Sequence, residues 1–145
     1  MLEHINPAGM HSNPVYSQVV VMPAGARTVV VGGQNAVAAD GTIVGIGDIG
    51  QQAAKAIDNL LTCLAAAGTT IENLVKISIY VVGDADLHPA FGAWMAQWGT
   101  RTNPPTVSMI RVVGLGRPEF LIEVDAMAVI PDGTLNLHPD RRGHI

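Results

Sequence analysis

The sequence NPPTVSMIRVV at residues 103–113 is followed, after a short loop, by FLIEVDAMAV at residues 120–129. Both segments are rich in β-branched and apolar residues and are bounded by proline or glycine, which predicts two β-strands. The loop GLGRP at residues 114–118 has the composition of a hairpin connection. We therefore expect these two strands to pair as the closing hairpin of a sheet.

Two carboxylates, Glu123 and Asp125, interrupt the second of these strands. Because side chains alternate along a strand, both lie on the same face. A carboxylate within an apolar strand is costly unless it is paired, hydrogen-bonded or solvated. The pair therefore indicates either an exposed strand face or a functional site.

The N-terminal part of the chain predicts further strands. Residues 15–22 and 27–31 flank a Pro-Ala-Gly turn and are most simply a hairpin. Gly32 and Gly33 interrupt the second of these strands, which indicates a bulge, a close backbone approach or a loosened strand end. Residues 42–46 follow an Asp-Gly turn and predict a short extra strand.

A helix is predicted between Asp48 as N-cap and Gly68 as the terminating glycine. Its apolar face consists of Ile49, Ala53, Ile57, Leu60, Leu61 and Leu64. Cys63 lies beside this face and is interpreted as a small core residue. As the lone cysteine of the chain, it excludes an internal disulfide and fits a reducing compartment.

Residues 74–82 predict another strand, and Pro89 fits the first turn of a second helix that ends at Gly99. Asp84 or Asp86 is the expected N-cap of this helix. Its core-facing stripe is predicted to be Phe91, Trp94, Met95 and Trp98. The mixed order of strands and helices predicts an α+β domain, with both helices on one face of a mostly antiparallel sheet.

Composition limits the classes of function. A chain of 145 residues suits one domain, which we place at residues 1–130, followed by a mobile tail at 131–145. Charged residues make up 14% of the chain, against about 25% in an average globular protein. We therefore expect part of the surface to be buried against other copies. The net charge of −4 argues against a nucleic-acid partner.

Other classes are disfavoured by missing patterns. No apolar run is long enough for a membrane span and no signal peptide is visible, so the cytoplasm is the expected location. The five histidines show no metal-ligand spacing, and no nucleotide-binding motif occurs. We therefore expect neither a metal nor a cofactor.

Several segments together resemble the RidA family, also called the YjgF or L-PSP type, over roughly residues 5–130. The resemblance rests on VYSQ at 15–18, GQ at 33–34, the helix QQA…DNL…AAG within 51–68, LVKISIY at 74–80 and LIEVDA at 121–126. It implies a chorismate-mutase-like fold and a homotrimer with small-molecule clefts between adjacent subunits.

The resemblance also implies an activity. Active family members hydrolyse reactive enamines and imines, such as aminoacrylate, to a ketoacid and ammonia without a cofactor. In them an arginine on the penultimate strand holds the substrate carboxylate, and a glutamate in the closing strand positions or activates water. Here the glutamate matches Glu123, the candidate catalytic residue. The candidate substrate-binding residues are Tyr16, Gly32, Gly33 and Val107.

The sequence departs from the family pattern at the arginine, where Val107 stands instead. Gly32 also replaces the family's serine. Arg111 lies on the same strand face as Val107 but about 13 Å along the strand, too far for a simple substitution. Arg101 and Arg117 are the other candidates to enter a cleft.

Two hypotheses follow from this departure. The first is an enzyme acting on an imine or enamine other than the usual amino-acid-derived ones, with Glu123 as general base. The second is a non-catalytic trimer that binds a metabolite or partner in the same cleft. Endoribonuclease activity, implied by the family's older name, is less favoured because the sequence shows no basic groove and no histidine pair.

Overall fold

The computed structural model describes residues 1–131, so the predicted tail lies outside the described residues except for residue 131. Its elements are β1 (Glu3–Ile5), β2 (Val19–Val21), β3 (Arg27–Gln34), α1 (Ile49–Ala67), a 3₁₀ turn (Ile71–Asn73), β4 (Leu74–Val82), α2 (His88–Trp98), β5 (Thr106–Val112) and β6 (Ile122–Ile130).

The main sheet has the strand order β3-β6-β4-β5. β6 pairs antiparallel with β3 and with β4, whereas β4 and β5 are parallel. α1 and α2 pack on each other and cover one face of this sheet. The predicted α+β fold, with two helices on one face of a mostly antiparallel sheet, is therefore confirmed. The main core contains Val31, Leu60, Leu64, Leu74, Ile77, Trp98 and Ala126.

The predicted closing hairpin is wrong. β6 lies between β3 and β4, and β5 pairs only with the far side of β4. β6 carries buried apolar residues along most of its length, which suits a strand with a neighbour on each side. β5 is exposed from Ser108 to Arg111, which suits an edge strand. The loop after β5 therefore carries the chain past β4.

The predicted hairpin between residues 15–22 and 27–31 is also wrong, because β2 is short and pairs with β1. The Asn13 side chain accepts from the Val15 N–H at 2.9 Å. The Ser17 N–H donates to the Pro105 carbonyl at 3.0 Å. These bonds hold residues 13–17 across the start of β5, outside a strand. The extra strand predicted at 42–46 is reduced to one isolated bridge, between Val37 and Ile43.

The predicted ends of α1 are confirmed. Asp48 accepts from the Gln51 N–H at 3.0 Å, and Gly68 adopts the left-handed conformation with φ 88°. α2 has Pro89 in its first turn as predicted, but its N-cap is Leu87. The Asp86 carboxylate instead accepts from the His88 N–H at 3.1 Å, just ahead of the helix.

Candidate functional site

The two faces of the main sheet carry different candidate residues. Val107 is in register with Ile77, which faces the helices, so Val107 faces the helices too. Glu123 is in register with Tyr80 and projects to the opposite face. We call the concavity between helices and sheet the helix-side cavity, and the other side of the sheet the open face.

The helix-side cavity has a volume of about 300 Å³. The cavity is lined by residues of five elements, α1, α2, β4, β5 and β6, and by Val15, Tyr16 and Leu87. Of the described residues that line it, none is charged, and the polar side-chain groups are the Tyr16 hydroxyl and the Trp94 indole N–H. The cavity is therefore suited to an apolar group rather than to an anion.

Tyr16 reaches this cavity because the neighbouring residue is fixed to the start of β5. The Ser17 hydroxyl donates to the Pro104 carbonyl at 2.5 Å, and Ser17 is 2% exposed. This hydrogen bond holds Tyr16 near Val107, and both residues line the cavity. Phe91 and Met109 also line it but are 46% and 44% exposed, which places them at its mouth.

On the open face, Glu123 packs against the predicted double glycine. The register of β3 and β6 slips between Val31 and Gln34, so Gly32 and Gly33 form a bulge. A Cβ atom at Gly33 would stand 2.5 Å from the Glu123 Oε2 atom, which requires glycine unless the carboxylate moves. Two of the predictions for these glycines are therefore confirmed: the strand has a bulge at Gly32 and Gly33, and the backbone at Gly33 closely approaches another residue. Within residues 1–131 the Glu123 carboxylate has no hydrogen-bond partner.

The five predicted site residues thus fall into two groups. Tyr16 and Val107 lie together at the helix-side cavity, and Glu123 lies with Gly32 and Gly33 on the sheet's other side. Within one chain the sheet separates Glu123 from Val107. The sequence interpretation missed the contribution of α2 to the site: Ala90, Phe91 and Trp94 of this helix and its N-cap Leu87 line the cavity.

A second, open concavity adjoins the mouth of the cavity and is lined by Leu87 and Phe91 together with Asp84, Ala85, Asp86, His88 and Arg111. Arg111 Nη1 donates to the carbonyls of Gly83 at 2.9 Å and Ala85 at 3.2 Å. His88 Nδ1 lies 2.7 Å from Asp86 Oδ1, and this contact with His88 lowers the pKa of the Asp86 carboxyl. We call this concavity the Arg111 pocket.

The two other candidate arginines take no part in either concavity. Arg101 Nε donates to Glu72 at 2.8 Å, and the Arg117 guanidinium lies 6.0 Å from the Phe120 ring centroid. Among residues 1–131, no group of three or more His, Cys, Asp or Glu side chains is arranged to hold a metal ion. The described helices include none that is long and apolar enough to cross a membrane.

The fold and the comparison with known families agree. Residues 8–130 match the model of the endoribonuclease L-PSP family, so the chain belongs to the RidA/YjgF (L-PSP) family. A RutC family protein of Synechocystis is 32% identical over 90 residues, which cover 62% of this chain and 68% of the relative.

Solved structures extend the likeness. YyfB of Yersinia pestis, a protein of unknown function in the conserved Rid family, superimposes with a TM-score of 0.77 at 33% identity. That match covers 88% of this chain and 97% of YyfB. E. coli TdcF, solved with bound serine, has a TM-score of 0.65 at 22% identity over 81% of this chain and 90% of its own. At that identity the likeness shows the fold alone.

Proposed function

We propose that this protein binds a small metabolite by placing an apolar group of that molecule in the helix-side cavity. The observation that carries the proposal is the lining itself. Val107 stands where the family resemblance implies a carboxylate-binding arginine, and no described lining residue is charged. An anion at this point would lose its hydration without gaining a counter-charge. An apolar group would gain about 25 cal/mol for each Å² removed from water.

The proposed ligand site lies at a subunit boundary in a homotrimer. β5 forms an edge of the described sheet and carries the mouth residue Met109, which lines the same cavity as Phe91 of α2. On the open face Val30 is 74% exposed, although it lies in the middle of a strand. Burial of these apolar residues against other copies agrees with the family resemblance and with the 14% content of charged residues.

Hydrolysis of a reactive imine or enamine is the second candidate function. It is favoured by Glu123, whose carboxylate is half-buried against Gly33 and has no hydrogen-bond partner within residues 1–131. Because the sheet separates Glu123 from the cavity of its own chain, we place this chemistry between subunits, with Glu123 orienting water for a ligand held by an adjacent copy. Ribonuclease activity is not part of the proposal.

The test is calorimetric titration with small neutral probes, for which hexanol, cyclohexanol and octanol are suitable. Ala90 lines the cavity from α2, so Ala90→Leu adds apolar atoms to the space that a probe would fill. Ala54→Leu makes the same change on the exposed side of α1 and is the matched control.

We expect the wild type and Ala54→Leu to bind at least one probe alike, and Ala90→Leu to bind it at least tenfold more weakly, about 1.4 kcal/mol. Probe affinity that is equal in all three proteins would place the binding elsewhere. If no probe binds the wild type, the proposal is wrong.

A further inference from the structure

Arg111 has the properties of a prepared anion receptor. Its Nη1 atom is fixed by the carbonyls of Gly83 and Ala85. Its Nε and Nη2 atoms have no partner within residues 1–131, and no described carboxylate lies within ion-pair distance of it. A guanidinium that is held in place with part of its donor fork unused is suited to a carboxylate.

The Arg111 pocket adjoins the helix-side cavity. Leu87 and Phe91 line both concavities. Val107, Met109 and Arg111 follow each other on one face of β5, in register with the helix-facing residues of β4. Val107 and Arg111 are four residues apart, which corresponds to about 13 Å along the strand. The site therefore has an apolar end at Val107 and a cationic end at Arg111.

We propose that Arg111 binds the carboxylate of a monocarboxylic acid whose apolar chain occupies the helix-side cavity. This inference rests on the proposed function and names its ligand class. A medium-chain acid spans the distance between the two ends, whereas the carboxylate of a small amino-acid-derived imine lying at Val107 would not reach Arg111. The ligand class therefore differs from the one implied by the family's usual arginine position.

The Arg111 pocket also contains the carboxylates of Asp84 and Asp86, which affect the charge of the ligand that it can bind. Asp86 is paired with His88, but the exposed Asp84 carboxylate has no hydrogen-bond or ion-pair partner within residues 1–131. Its negative charge opposes a bound carboxylate and would favour a bound amine. Asp84→Asn should therefore tighten the binding of an anionic head group and weaken that of a cationic one.

The experiment compares octanoate with octanol, which has the same chain and no charge, by calorimetric titration. In Arg111→Gln we expect octanoate to bind at least tenfold more weakly, while octanol affinity changes less than twofold. Arg111→Lys should restore octanoate binding only in part, because an ammonium lacks the guanidinium fork. In Asp84→Asn octanoate should bind a few-fold more tightly, with octanol unchanged.

Several binding results would contradict the role proposed for Arg111. If Arg111→Gln weakens both probes equally, Arg111 only supports the loop after β4 and the inference is wrong. If octanoate affinity does not change in Arg111→Gln, or if it does not rise in Asp84→Asn, the inference is also wrong. Octanol binding that Ala90→Leu weakens at least tenfold would still support the proposed function in those cases. If neither octanoate nor octanol binds, the inference is wrong, and the proposed function is wrong too if hexanol and cyclohexanol also fail to bind. Asp84→Asn keeps Arg111 and its hydrogen bonds to the Gly83 and Ala85 carbonyls. The octanoate affinity of this variant therefore tests the inference if Arg111→Gln does not fold.

Discussion

Replacing Val107 by arginine introduces the group that the family resemblance implies for carboxylate binding. Val107 is half-buried on the edge strand and faces a cavity whose described lining carries no charge. A charge-assisted contact between an arginine and a substrate carboxylate is worth about 1.5–3 kcal/mol. Fully expressed in the transition state, this corresponds to roughly 10- to 150-fold in kcat/KM.

The same substitution has a structural cost. A guanidinium among apolar residues must remain hydrated or be paired. From an edge strand the long side chain can extend towards the mouth at Phe91 and Met109, with its apolar stem in the cavity. We therefore expect Val107→Arg to lower the free energy of unfolding by about 1–3 kcal/mol. Val107→Met is the matched control, because it adds an unbranched chain without the charge.

The assay generates imines from an amino acid with an oxidase and follows the release of ketoacid or ammonia. We expect the wild type and Val107→Met to accelerate this release poorly and Val107→Arg to accelerate it more. A wild type as active as an arginine-bearing family member would refute the argument, because another group would then hold the carboxylate. Equal rates for Val107→Arg and Val107→Met would show that the charge is irrelevant.

Three further predictions concern assembly and stability. We expect Val30→Lys to convert the proposed trimer into monomers in sedimentation equilibrium, whereas Thr62→Lys, on the exposed side of α1, should not. A wild type that is monomeric at all concentrations would contradict the proposed assembly. Gln52 is fully buried and bonds two backbone carbonyls and one N–H, so Gln52→Leu should cost about 2–4 kcal/mol in urea unfolding, and a loss below about 1 kcal/mol would contradict this. The Thr70 hydroxyl, followed by Arg101, lowers the pKa of Glu72 to about 2 from 4.5. The ionised Glu72 carboxylate therefore stabilises the fold above about pH 4.5, and this stabilisation is lost as the pH falls towards 2. Glu72→Gln should lower the free energy of unfolding by up to about 1 kcal/mol at neutral pH. A difference in the free energy of unfolding between this variant and the wild type that stays constant down to pH 2 would refute the assignment.

The parts of the fold that depend on local chemistry could be predicted from the sequence. The ends of α1 follow from Asp48 and Gly68, whose effects involve only the adjacent turns. Strand pairing could not be predicted in the same way. β6 lies between two strands that are distant from it in sequence, and proximity along the chain favoured β5 as its partner.

The same long-range pairing decides the candidate site. Sequence alternation places Glu123 and Asp125 on one face of β6, but it does not say which face of β5 carries Val107. The registers of Val107 with Ile77 and of Glu123 with Tyr80 fix the two residues on opposite sides of the sheet. The family resemblance had suggested one cleft for both, and only the assembled sheet separates them within a chain.

The most direct measurement is a crystal structure of the protein grown with octanol. We predict electron density for the alcohol in the helix-side cavity, in contact with Val107 and Trp94, with its hydroxyl directed towards the mouth at Phe91 and Met109. Density beside Glu123 on the open face, with the helix-side cavity empty, would contradict the central claim that the cavity binds the apolar group of the ligand.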